Sequence, residues 1–203
     1  MFSWLASHRP CPLCGLEPAT QAASCRDCWQ SLPWLKASVQ RHELDIFAAC
    51  HYAYPIDRII QQFKYEQQLH YQHLLAACLK QVKLPKVNAI VPMPISTERL
   101  IERGYNQSLL LAKQFSQELN IPVWQPIIRQ HQHRQKGLSR LERLDHLEQQ
   151  FQVITPRTKI YRRVVIVDDV VTTGSSIHAL QHALTQLGCQ QIYAVCVAAA
   201  EAK

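Results

Sequence analysis

The run Val164-Val165-Ile166-Val167-Asp168-Asp169-Val170-Val171-Thr172-Thr173-Gly174-Ser175-Ser176-Ile177 constrains the fold more than any other stretch of this chain. Its β-branched apolar start is the pattern of a strand buried on both faces, as in a parallel sheet. The strand is expected to end at two adjacent carboxylates, before a turn rich in hydroxyls. Beyond the turn Ile177, Leu180, Leu184 and Leu187 recur at helical spacing, and Gly188 stops the helix. The residues with chemistry therefore fall between the carboxyl end of a strand and the amino end of a helix, where open α/β sheets place ligands.

The first turn of a helix leaves backbone N–H groups unpaired at the positive end of the macrodipole. Thr172, Thr173, Gly174, Ser175 and Ser176 offer several such groups plus hydroxyls, with Gly174 allowing close approach, which makes a cradle for a monophosphate. Asp168 and Asp169 suit sugar hydroxyls or Mg²⁺ held through its waters. Phosphate on one side and diol or Mg²⁺ on the other describe a ribose 5-phosphate. The whole string resembles the phosphoribosyl pyrophosphate (PRPP) signature of type I phosphoribosyltransferases. An ordinary strand followed by an Asp or Thr helix cap would need only a fragment of it.

A chain of 203 residues can bury one good core and carry a small appendage. With 47% hydrophobic and 18% charged residues it is globular in composition. No apolar run approaches the roughly 18 to 20 residues of a membrane span. Met1-Phe2-Ser3-Trp4-Leu5 lacks the basic-then-apolar order of a secretory signal. The expected compartment is the cytoplasm, where eight cysteines are metal ligands or buried thiols rather than disulfides. The net charge of +7 suits polyanionic partners such as nucleic acid, or phosphate-rich small molecules, and equally a solvated basic surface.

Cys11, Cys14, Cys25 and Cys28 have the spacing C-x₂-C-x₁₀-C-x₂-C. Each pair makes a knuckle whose two thiolates face one ion, and two knuckles complete a tetrahedral, structural Zn²⁺ site with no open position. Cys50, Cys78, Cys189 and Cys196 have no such spacing and are expected as core thiols. Trp29 to His42 reads as a connector. A strand is expected around Ile46–Cys50, a helix from Pro55 to Lys64, a second from Tyr71 to Val82, a strand over Ala89–Val91 and a last one from Gln190 to Ala198. Lys64 reads as a solvated cation near a helix C-terminus, or as a group aimed at a ligand.

Pro92 and Pro94 force an extended exit from the Ala89–Val91 strand. Arg99 and Arg103, four apart, share one helix face, and two forked guanidiniums aimed at one place can clamp a pyrophosphate. Asn106 or Gln107 can cap the helix that follows, with Leu111, Phe115 and Leu119 as its core face. Between Ile127 and Phe151 lies a polar, basic stretch with Arg129, His131, His133, Arg134, Lys136, Gly137, Arg140 and Arg143, read as a mobile loop leading into a short helix. Arg157, Lys159, Arg162 and Arg163 form a second basic run.

Phe63-Lys64-Tyr65, Val91-Pro92-Met93-Pro94, Arg99, Arg103-Gly104-Tyr105-Asn106-Gln107 and the Asp168-Asp169 loop, behind a four-cysteine module, resemble the ComF/GntX family over nearly the whole chain. The resemblance implies a type I phosphoribosyltransferase-like α/β fold: a parallel sheet flanked by helices over 43–203, with a zinc-ribbon-like module and connector over 1–42. It implies a link to natural competence, the uptake of DNA or its use. Gln135 and Leu138-Ser139 match the family's Gln-x-x-Leu-Ser pattern in a loop that closes over the site. Asp145-His146-Leu147 departs from its Arg-Asn-Leu.

Two functions follow as expectations. One is Mg²⁺-dependent displacement of pyrophosphate from C1 of PRPP, with Asp168 and Asp169 on ribose hydroxyls and metal waters, residues 172–176 on the 5-phosphate, and Arg99 and Arg103 on pyrophosphate. The acceptor is not marked. The other is a single-stranded DNA-binding competence factor, working with DNA-processing partners, whose PRPP pocket is non-catalytic.

Overall fold

The computed structural model describes residues 10–19, 23–42, 44–130, 150–154 and 159–201. The basic residues from His131 to Arg143, the matches at Gln135, Leu138 and Ser139, the departure at 145–147, and Arg157 lie outside them. The described chain forms α1 (Arg26–Gln30), β1 (Trp34–Arg41), β2 (Leu44–His51), α2 (Ile56–Tyr65), α3 (Tyr71–Leu79), β3 (Ala89–Pro92), α4 (Thr97–Arg103), α5 (Gln107–Leu119), β4 (Ile127–Arg129), β5 (Phe151–Val153), β6 (Arg163–Val171), α6 (Ser175–Gln186) and β7 (Gln191–Ala199).

Five strands make one sheet in the order β1-β2-β7-β6-β3. Every neighbouring pair is parallel except the β1–β2 hairpin at one edge. The central strands are apolar on both sides because both faces are covered. Val165 and Val167 of β6 pack with Ile59, Phe63, Leu74, Leu111 and Phe115 of α2, α3 and α5. Val164 and Ile166, one residue out of phase, pack with Ile177, Leu180 and Leu184 of α6 and with Trp124, Ile127 and Phe151 around the β4–β5 ribbon. Cys50, Cys78, Cys189 and Cys196 are all buried, as core thiols should be.

Two expectations change. The connector from Trp29 to His42 contains β1, hydrogen-bonded to β2 from Trp34↔Cys50 to Arg41↔Leu44. It escapes periodicity because it is an edge strand with no buried residue. The hairpin spans the division expected at residues 42 and 43. The central strand also outruns the acidic pair: β6 continues to Val171, with Val170↔Ala198 and Val171↔Ala199 paired across to β7. The carboxylates sit within the strand's last turn of pleat rather than after it.

Candidate active site and metal centre

At the amino end, Cys25 caps α1 through its Sγ, which accepts from the N–H of Cys28. The Sγ atoms of Cys11, Cys14, Cys25 and Cys28 all lie within 4.8 Å of one another. Cys14 and Cys25 are 3.8 Å apart, and a tetrahedron of Zn–S bonds of about 2.3 Å has an S–S edge of about 3.8 Å. The backbone N–H groups of Glu17 and Leu16 hold the Cys14 thiol down to about 6. Burial and the crowding thiols push Cys28 well up. Four sulfurs this close relieve their mutual repulsion by sharing a cation, so the residues fit a structural Zn²⁺.

At the carboxyl end of the sheet lies a cavity of about 320 Å³. The acidic pair forms its floor together with Val170, Thr172 and Ser176, while Met93, Pro94 and Ile95 line the side where β3 exits. That exit is fixed by Asn106, whose Nδ2 donates to the Met93 carbonyl while its Oδ1 caps α5 at Leu109 N–H. Ser96 caps α4 in the same way and sets the start of the helix that carries Arg99.

The two carboxylates are held differently. Asp168 Oδ1 accepts from the hydroxyl of buried Ser108 at 2.8 Å and from the Asp169 N–H at 2.9 Å. Burial, and then the neighbouring Asp169 charge, push Asp168 up to about 7 against the opposing pull of Lys64 and Ser108. Asp169 is 2% exposed. Its Oδ1 meets Lys64 Nζ at 3.0 Å, and its Oδ2 is buried with no partner among the described residues. An orphaned buried carboxylate oxygen beside a second carboxylate is what a cation or a sugar hydroxyl would satisfy, so the donor set fits Mg²⁺ held through water.

The structure resolves the choice at Lys64. The bland reading of a solvated cation is wrong: the side chain crosses from the end of α2 to the acidic pair and is 19% exposed. Burial works to lower its pKa, but the Asp169 and Asp168 charges outweigh it and raise it. Of the two expected clamp arginines, Arg99 lines the cavity. Arg103 does not. It lies over the Tyr65 ring at 5.2 Å and donates to Gln107 Oε1 at 2.6 Å. The second guanidinium in the cavity is Arg129, at the end of β4, held by Gln150 Oε1 at 3.0 and 2.7 Å from Nε and Nη2. Burial, and then the Arg99 charge, lower its pKa, with Asp168 pulling the other way.

The loop from Thr172 to Ser176 is also more structured than its composition suggests. Thr172 and Ser176 line the cavity, whereas the Thr173 and Ser175 hydroxyls pair at 3.0 Å. Gly174 has φ +81°, and its missing Cβ makes room for Arg41 of β1: an added Cβ would stand 2.6 Å from Arg41 Cβ. The expected close approach at this glycine is thus between two parts of the protein. Arg129 stood out in the sequence only as one member of a basic stretch, and Ser108 and the bond from Lys64 to Asp169 depend on elements contributed from elsewhere in the chain.

Residues 106–203 match the model of the phosphoribosyl transferase domain. Over 196 residues the chain is 34% identical to Competence protein F of Haemophilus influenzae, covering 90% of this chain and 81% of that protein. Competence protein ComFC of Bacillus subtilis is 27% identical, over 88% of this chain and 72% of its own length. DNA utilization protein YhgH of Escherichia coli K12 is 28% identical, over 92% and 82%. Among the described residues no helix is long and apolar enough to cross a membrane. With a phosphoribosyltransferase-like sheet, a four-cysteine cluster ahead of it and a relative of this identity matched along most of both chains, the protein belongs to the ComF family.

Proposed function

We propose that the cavity binds PRPP with Mg²⁺, and that the protein transfers the phosphoribosyl group to an acceptor in the service of DNA uptake or use. One observation carries this reading. Asp169, a buried carboxylate with one oxygen unpartnered among the described residues, lines the same cavity as Arg99, Arg129 and the start of α6. Asp168 and Asp169 would hold ribose hydroxyls and metal-bound water. Thr172, Thr173, Gly174, Ser175 and Ser176 would hold the 5-phosphate at the helix start. Arg99 and Arg129 would hold pyrophosphate, with Arg103 acting one step back through Gln107.

In the reaction the bond from C1 to pyrophosphate breaks with its electron pair on the leaving group, and the acceptor's nucleophile bonds to C1. Mg²⁺, held through water by Asp168 and Asp169, would supply positive charge to the leaving group. The arginines supply more. The Lys64 ammonium, 3.0 Å from Asp169 Oδ1, offsets the negative charge of the acidic pair before substrate arrives. The family relatives named for competence and DNA utilisation support the biological setting.

A second reading keeps the pocket and drops the transfer: a competence factor that binds single-stranded DNA. It is favoured by the net charge of +7 and by exposed Lys159, Arg162 and Arg163 at the far end of the sheet. Calorimetric titration of Mg²⁺·PRPP into wild type and an Asp168→Asn/Asp169→Asn variant tests the first reading. Binding lost in the variant supports it. No binding by folded, zinc-replete wild type would overturn it, and a steep salt dependence of DNA binding would then favour the second.

A further inference from the structure

The phosphate loop has a neighbour that lies outside the strand–turn–helix motif. The tip of the β1–β2 hairpin closes over it. Arg41 anchors the tip: Nε donates to the Thr172 carbonyl at 2.8 Å, Nη1 to Gln40 at 2.8 Å and Nη2 to Ala200 at 2.9 Å. Each of its three nitrogens thus donates to a carbonyl, and Gly174 leaves the space in which its stem lies. The anchored turn carries His42, at φ +49°, to the start of α6. There His42 Nε2 lies 3.1 Å from Ser175 Oγ, and the His178 ring on α6 is 5.4 Å away.

We infer that His42 is a further 5-phosphate-binding residue, brought to the loop by the hairpin and setting the preference for a phosphorylated over an unphosphorylated ribose. The inference rests on the PRPP-pocket reading of the same loop. An oxyanion taken up by the Ser175 hydroxyl and the open N–H groups of α6 lies within reach of the His42 imidazole, whose Nε2–H would donate to it. The position is apt for two reasons. Arg41 is tied to the Thr172, Gln40 and Ala200 carbonyls, and this fixes the turn that carries its neighbour His42 to Ser175. His42 is also 133 residues away from Ser175 in the chain, so the hairpin can tune the phosphate end without altering the carboxylates or the arginines.

The test compares wild type with His42→Ala and His42→Gln by calorimetry, using Mg²⁺·PRPP and Mg²⁺·pyrophosphate as separate probes. A charge-assisted hydrogen bond lost to Ala should weaken PRPP about tenfold. Pyrophosphate, held by Arg99 and Arg129, should bind as in wild type. Gln, which can donate from its amide, should recover much of the loss. PRPP binding by a folded His42→Ala protein within twofold of wild type would overturn the inference and leave the pocket reading intact. Equal weakening of both probes would also overturn it, by showing that His42 merely shapes the cavity. Failure of wild type to bind PRPP at all would remove both readings together.

Discussion

Lys64 Nζ stands 3.0 Å from Asp169 Oδ1, and this ion pair joins the end of α2 to the end of β6 at the cavity floor. It lets two adjacent carboxylates coexist in a largely dry place. Replacing it by Lys64→Met should leave Asp169 uncompensated beside Asp168, at a cost of about 3 kcal/mol near pH 8, where removal of one partner of a buried pair is felt fully. Urea unfolding without ligand reads this directly. A loss below about 1 kcal/mol would mean that water screens the pair far better than its burial implies.

Asp168 gives a pH signature. Its folded-state pKa is raised to about 7 by burial and by Asp169, against about 4 in an unfolded chain. The folded protein therefore binds more protons in that window, and the Asp168 contribution to stability is full below about pH 4 and lost as pH rises through about 7. The difference in unfolding free energy between wild type and Asp168→Asn, measured with chelator at pH 5, 6, 7 and 8, should shift against wild type up to about pH 7 and level off by pH 8. Lys64, whose pKa is raised, acts only at higher pH. A difference that does not vary with pH would show that Asp168 titrates normally.

At Gly174 the backbone is left-handed and the space is filled by Arg41. Gly174→Ala combines roughly 1 to 2 kcal/mol of backbone strain with a steric push on the hairpin. A drop in melting temperature of about 5 °C is expected for a chain of this size. An unchanged melting temperature would mean that Arg41 moves aside freely.

The two arginines expected as a pair now separate. Arg129→Gln should weaken Mg²⁺·pyrophosphate about tenfold or more, because it removes a charged donor from the cavity. Arg103→Gln should change it less than threefold. Calorimetry on both variants decides, and the reverse order would return Arg103 to the clamp.

Cys11→Ser should abolish stoichiometric zinc and unfold the amino-terminal module while the sheet still melts cooperatively. Metal analysis and a thermal scan check both halves. Full metal retention would contradict the four-thiolate site.

The sequence by itself determined the features that are local in the chain. Val164 to Val167 are β-branched and apolar on both faces, so they must be a covered strand. Thr172 to Ser176 sit where a helix must begin, and the cysteine knuckles are set by two-residue spacings. Those patterns were enough to name the architecture, the acidic pair and the thiol cluster. Tertiary structure decided whatever depends on long-range approach. Lys64 looks like an ordinary C-terminal lysine until α2 packs across β6. Arg129 looks like loop charge until β4 pairs with β5 and turns it inward. Trp34 to Arg41 looks like a connector because an edge strand needs no buried face, and only its hydrogen bonds to β2 reveal it. Side-chain periodicity records which face is buried, not what stands opposite, so the partners that tune the site appear only once the strands are assembled.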